Sequence, residues 1–364
     1  MASRPIRRAL LLIASAIIAL PAVELIARAI GKPPLPQDPR FVEAPEWSYP
    51  DQIAKDTDLF WRYRPNQIIR DQFFAPGIYT TNSHGLRGAD FPDEKRGGVT
   101  RVVCMGGSGT FGWGVPDDAA YPRQLESRLN ELDPEHRRWE VVNAGVTNYS
   151  THQGLALARR LLPRLRPDIV LFDFSWGDHQ PAGQDTPDQE IAMPAPWRLG
   201  LENLILRSAA VRHALRLFAR PGGPPEDNLP AAYKAWRVDP NAFVANIEKL
   251  VQVAAETGAR PIWVTSPIAW PPPGASDTSG IFHYHHRYHR AGRYAAALSG
   301  CEIAELANNF NLYRGFFDDA AVDIEHFNAT GHNFAGDYLA RVILRLPLKT
   351  GAPERSNQPE SPER

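Results

Sequence analysis

Cysteine is nearly absent. Cys104 and Cys301 are the only two among 364 residues, so no disulfide framework can staple this fold. Net charge is missing too: 40 Lys+Arg against 41 Asp+Glu leave a formal charge of −1, which supplies no field to hold a polyanion and sets nucleic-acid binding aside. No internal repeat is visible. What the chain has in quantity is apolar residues, 43%, together with 34 prolines and 27 glycines. That balance excludes a mainly disordered chain and predicts a sizeable core under a surface rich in irregular loop. The length suits one large α/β domain or two ordinary ones.

The amino terminus bears on location. Arg4, Arg7 and Arg8 precede an uncharged, apolar stretch from Ala9 to Val23 with Ser15 as its one polar residue, and Glu24 and Arg28 then sit four apart on one helix face. A single helix from Ala9 to Ile30 would reach about 33 Å, enough to span a bilayer when tilted. Residues 1–36 are therefore expected to be a signal-anchor transmembrane helix and the start of a Pro-rich linker. The positive-inside rule places the rest of the chain outside the cytoplasm, on the periplasmic side of an inner membrane. Cleavage at Ala27-Arg28-Ala29 stays open, although the arginine spoils the small-x-small pattern. Pro33, Pro34, Pro36, Pro39, Pro45 and Pro50 describe an extended spacer. Residues 351–364 are expected to be a disordered tail.

From residue 100 onward the pattern alternates between strand and helix. Arg101 to Met105, Trp139 to Asn143, Asp168 to Phe174, Pro261 to Ser266 and Glu302 to Leu306 read as five parallel strands. Helices are expected over 119–132, after a Ser150/Gln153 capping box, over 241–256, over 287–298 and over 330–344. The domain then spans 37–350, with an N-terminal lobe over 51–98 and an insertion over 180–239 that carries a helical piece around 201–218.

Active groups of such sheets lie at the carboxyl ends of the strands. The first of these loops reads Gly106-Gly107-Ser108-Gly109-Thr110-Phe111-Gly112, and glycines on both sides let the chain turn sharply and present the Ser108 hydroxyl. No Gly-Lys-Ser/Thr follows, as a phosphate loop requires. A serine needs a base. Asp323-Ile324-Glu325-His326 lies just before the last helix, where Asp323 can hold one imidazole nitrogen of His326 and leave the other for the Ser108 proton.

In these blocks and their order the chain resembles the SGNH, or GDSL-type, hydrolase family, in particular its membrane-anchored bacterial members. Gly106-Gly107-Ser108 is similar to the Gly-Asp-Ser block, Asn143-Ala144-Gly145 to the second block, and Asp323, His326, Gly331 and His332 to the last. The resemblance implies a flavodoxin-like three-layer α/β/α sandwich, a serine nucleophile that cleaves esters, and neither metal nor organic cofactor. It further implies an oxyanion hole from the backbone N–H groups of Ser108 and Gly145. The third block departs: Ser175-Trp176-Gly177-Asp178 stands where the family carries Gly-x-Asn-Asp, so the oxyanion-donating amide is missing. One such donor is worth roughly 10² to 10³ in rate, and Ser175 or His179 are candidates to replace it.

Trp113, Ser175, Gly177 and Asp178 are the expected substrate-groove residues. His283, His285, His286 and His289 cluster, but no Cys or carboxylate completes a zinc set beside them, so they are read as a polar helix start along the groove. His332 and Cys104 are expected to pack in the interior. The functional expectation is hydrolysis of an O-acyl ester, an O-acetyl group on extracytoplasmic carbohydrate above all. Acyl transfer by the same triad and a catalytically impaired envelope binding protein are the alternatives, and partners reduce to an acylated small molecule or glycan and the membrane.

Overall fold

The computed structural model describes residues 4–33, 35, 40, 51–70, 78–218, 235–269, 280–310, 314–318 and 323–345. Most of the Pro-rich spacer and the tail over 351–364 lie outside the described residues. The chain opens with helix α1 (Arg4–Ile30). Of its side chains, 4–14, 16 and 17 are outside the description, and these carry most of the expected anchor. Among the described residues no helix is long and apolar enough to cross a membrane. The expected transmembrane span therefore rests on the sequence alone.

Two antiparallel hairpins follow, β1 (Ile53–Asp56) with β2 (Phe60–Tyr63), and β3 (Ile68–Arg70) with β4 (Ile78–Thr80). Then comes the alternating body: β5 (Val99–Gly106), α2 (Ser108–Phe111), α3 (Tyr121–Leu132), β6 (Arg138–Gly145), α4 (Thr151–Leu165) and β7 (Ile169–Asp173). The insertion contributes α5 (Pro196–Ile205) and α6 (Ala209–Phe218). Alternation resumes with α7 (Pro240–Glu256), β8 (Arg260–Val264), α8 (Ile281–Leu298), β9 (Glu302–Ala304), α9 (Leu306–Phe310) and α10 (Ala329–Leu344).

All five body strands are parallel and lie in the order β6-β5-β7-β8-β9. That is the doubly wound order of flavodoxin-like sheets, with its switch point between β5 and β7. Strand pleating divides the core. Val103, Met105, Val170 and Phe172 face α4, α7 and α8 on one side, while Val102, Cys104, Ile169 and Leu171 face α3 and α10 on the other. The result is a three-layer sandwich in which every central strand is apolar on both faces.

Local sequence accounts for the helix starts. Ser150 and Gln153 form the capping box of α4. Asp239 accepts from Asn241 and Ala242 at α7, and Asn328 accepts from Thr330 and Gly331 at α10. The β1–β2 hairpin presses against the loop after β6. Tyr63 shares a 2.8 Å hydrogen bond with Thr147, and the Tyr149 hydroxyl donates to the Trp61 carbonyl at 2.5 Å. Buried Arg237 of the insertion secures the same loop, donating to the Asn148 carbonyl at 2.7 Å and to Asp188 at 2.9 Å.

Candidate active site

The register puts the ends of three strands side by side, with Gly106 of β5 opposite Gly145 of β6 and Asp173 of β7. Gly106 has to be glycine, because a Cβ there would lie 2.2 Å from Thr110 Oγ1 and 2.4 Å from the Asp173 carbonyl. Gly107 caps α2, so Ser108 is its first residue. Buried Arg87 fixes the other end of this short helix: it pairs with Asp117 at 2.8 Å and donates to the carbonyls of Phe111, Gly112 and Val115.

Across the pocket, Asp323 accepts from the backbone N–H groups of Glu325 at 3.1 Å and His326 at 2.9 Å, while its second oxygen meets His326 Nδ1 at 2.9 Å. Burial alone would raise the Asp323 carboxyl, but the hydrogen bonds and charge of His326 hold it below the usual range. The imidazole is thus oriented with Nε2 turned away from its acid.

Between that nitrogen and the serine stands Glu325, to which the sequence assigns no role. Ser108 Oγ donates to Glu325 Oε1 at 2.6 Å, and His326 Nε2 lies 3.7 Å from the same oxygen. A hydroxyl has one proton to give. Ser108, Asp323 and His326 are therefore brought together, but the serine proton points at Glu325 rather than at the imidazole. A carboxylate inside a D-x-x-H segment carries no signal of its own, and only the fold shows it reaching the serine.

A narrow pocket of about 20 Å³ opens beside Ser108, walled by Phe174, Trp176, Pro267 and Phe327, with Ser175 and Gly177 at its edge. Asp173 also borders it. Burial, partly offset by bonds from Ser266 and Thr110 and reinforced by the charge of Glu325, pushes Asp173 up to about 6.

The oxyanion expectation needs a correction at Gly145. Its N–H donates to Asn143 Oδ1 at 3.0 Å, and a Cβ there would sit 2.3 Å from the Phe111 amide. That donor is engaged at the end of β6, and the glycine serves close packing of α2 on β6. Gly177 also proves to be a packing glycine: a Cβ would lie 2.3 Å from the Tyr149 carbonyl oxygen and 3.0 Å from Ser150 N. No side chain, Asn included, fits there without moving the loop after β6.

Ser175 is buried at the pocket edge, and its hydroxyl has no hydrogen-bond partner among the described residues. Asp178 is not a groove residue. It lies beneath α4, where its Oδ1 accepts from Thr151 N at 2.8 Å and Oγ1 at 2.5 Å, and burial pushes it up to about 7. Trp113 stands beside His326 at 6.2 Å between ring centroids and stacks on Tyr79, outside the pocket walls.

The histidines do not line the groove. His285 is buried against His179, Nδ1 to Nε2 3.3 Å, and desolvation pushes both below the usual range, His179 to about 4. Among the described residues no group of three or more His, Cys, Asp or Glu is placed to hold a metal. His332 is interior, accepting from Tyr121 N at 3.1 Å, and Cys104 is a buried free thiol.

Strand order, the serine turn and the acid-held histidine before the last helix define an α/β fold of the SGNH hydrolase type. The chain belongs to the GDSL-like lipase/acylhydrolase family, whose model matches residues 104–334, more than half of its length. No curated protein matches it. Among solved structures it is similar to an α/β hydrolase enzyme from the metagenome of Lake Arreo, Spain, at 18% identity over 68% of this chain and 94% of that one, TM-score 0.44. A lipase/acylhydrolase from Enterococcus faecalis is 15% identical over 69% of this chain and all 100% of its own, TM-score 0.43. An acetyl xylan esterase is 14% identical over 67% and 99%, TM-score 0.44.

Proposed function

We infer that the protein is a serine-dependent hydrolase of O-acyl esters, with short acyl groups, acetyl foremost, as its substrates. The observation that carries this is the cluster of Ser108, Glu325, His326 and Asp323 at the carboxyl end of the sheet. Ser108 Oγ attacks the ester carbonyl. Its proton passes to His326 Nε2 once the hydroxyl leaves Glu325, and the imidazolium that forms is balanced by Asp323. The leaving alcohol takes that proton, and water repeats the sequence in reverse to free the acid. The apolar walls Phe174, Trp176, Pro267 and Phe327 close in on Ser108, which supports a short acyl group over a long chain.

Oxyanion stabilisation falls to the Ser108 N–H and the Ser175 hydroxyl, since Gly145 is engaged and Gly177 has no side chain. The substrate side of the reading is carbohydrate outside the cytoplasm. It is supported by Arg4, Arg7 and Arg8 ahead of the apolar run, which orient an anchor with the domain on the far side of a membrane.

The test is turnover of an aryl acetate and of acetylated xylo-oligosaccharide by purified full-length protein. Acetate release that disappears in Ser108→Ala supports the reading. Release unchanged in that variant assigns the turnover to a group other than Ser108 and overturns the mechanism, and none from either substrate leaves an SGNH-fold binding protein.

A further inference from the structure

We propose that α5, with the exposed half of α1 beside it, forms a face that lies on an anionic lipid surface, with Trp197 set at headgroup depth. The proposal rests on the anchor reading of α1.

Helix α5 is built the wrong way round for a water-facing helix. Trp197, Leu201, Leu204 and Ile205 fall at i, i+4, i+7 and i+8, a single stripe, and all four are exposed, Trp197 by 74% and Leu204 by 67%. The inward side carries Leu199, 3% exposed, and beside it polar groups that grip β1: Asn203 exchanges hydrogen bonds with the Lys55 backbone at 2.8 and 2.9 Å, and Glu202 pairs with Lys55 at 3.2 Å. An isolated exposed leucine needs no explanation, but a whole apolar stripe facing outward marks a contact surface.

What covers it is indicated by its neighbour. Glu24 of α1 accepts from Ser208 Oγ at 2.7 Å and from the Ala209 and Ala210 amides at 3.1 Å, which locks α1 to the start of α6. Leu20 and Val23 of α1 then share a groove with Leu204 and Val211. The apolar run of the expected anchor thus continues directly into the exposed stripe of α5. Arg207 borders the same groove together with Arg28 and Lys32, which pair with Glu24 at 2.7 Å and Asp51 at 2.9 Å, and Arg207 is the basic contact it offers to anionic headgroups. A rigid joint between anchor and insertion would hold the domain at a fixed tilt on the bilayer.

The test uses full-length protein in nanodiscs of anionic lipid, with bromine atoms at shallow or deep acyl positions. Nine tryptophans emit, so the difference between wild type and Trp197→Phe isolates the one in question, and an exposed Trp to Phe change leaves the fold intact. Interfacial aromatics sit within roughly 5–10 Å of the headgroup boundary, so the Trp197 signal is expected to fall about twofold with shallow bromine and less with deep bromine. An unquenched Trp197 in captured protein overturns the proposal and leaves the anchor standing, whether each disc holds one copy or two copies meeting at this face. Failure of the chain to enter discs at all overturns the anchor reading, and this inference with it.

Discussion

Restoring the family amide at position 177 should harm the protein. In Gly177→Asn the new Cβ would meet the Tyr149 carbonyl oxygen at 2.3 Å, its carbon at 2.7 Å and Ser150 N at 3.0 Å, and all three are backbone atoms that cannot rotate aside. That backbone is held from both sides. Tyr149 donates to Trp61, Asn148 accepts from Arg237, and Ser150 caps α4. Relief requires the loop to move away from the pocket, which loosens the capping box. Overpacking costs about 1–3 kcal/mol and a damaged N-cap about 1 more. At about 2–4 °C per kcal/mol for a domain of this size, the melting temperature should drop by roughly 5–15 °C. Ester turnover should fall with it, because Tyr149 and Gly107 wall the same pocket as Ser108. Thermal unfolding followed by near-ultraviolet circular dichroism, with aryl acetate turnover on the same sample, reads both. Gly177→Ala supplies the steric part alone and should show most of the loss. An Asn variant with unchanged melting and a faster rate would refute the packing argument and show that a missing donor limits this site.

Three further outcomes follow from the site. Glu325→Ala removes a charge-assisted hydrogen bond of about 1.5–3 kcal/mol from the Ser108 hydroxyl, so phosphonylation of Ser108 by a fluorophosphonate should quicken by as much as roughly ten- to a hundredfold. A variant as inert as Ser108→Ala would make Glu325 the base instead. Ser175→Ala should lower kcat by up to roughly 10² with little change in KM, as expected for a donor used only in the transition state, and an unaltered kcat would show that the hydroxyl is merely buried. Asp178 and Asp173 are pushed up to about 7 and about 6, above their unfolded values, so the folded state binds the extra protons. Their share of the stability should therefore decline as pH rises from about 4 to about 7, against the opposite contribution of His179, His285, His289 and His332, which burial holds neutral in the folded state. Asp178→Asn should flatten that decline and raise the melting temperature above about pH 8; a pH profile identical to wild type would count against a buried, proton-holding Asp178.

The sheet was largely legible because parallel strands buried on both faces leave continuous apolar runs, and helix starts such as Ser150 with Gln153 are written within four residues. Ser108, Asp323 and His326 could be paired because each stands at a strand end or a helix approach that topology brings together. The rest depends on contacts between distant segments. Gly145 resembles a donor in sequence, yet the side chain of Asn143 takes its amide. Gly177 resembles a deletion, yet the carbonyl of Tyr149 fills the space. Glu325 has no periodicity or spacing to distinguish it from Ile324, and its reach to Ser108 follows from how Asp323 bends the loop through two backbone bonds. The outward stripe of α5 has ordinary helical spacing, and its direction is set by Asn203 and Glu202 gripping β1 and by the burial of Leu199.

The central claim is that residue 108 attacks carbon or phosphorus while His326 removes its proton. Intact-mass and peptide analysis after a brief exposure of the full-length protein to a fluorophosphonate tests this directly. The account predicts one phosphonyl adduct, located on the peptide containing Ser108, abolished in Ser108→Ala and strongly slowed in His326→Ala. A protein that stays unmodified, or an adduct that persists without the imidazole at an undiminished rate, would contradict it.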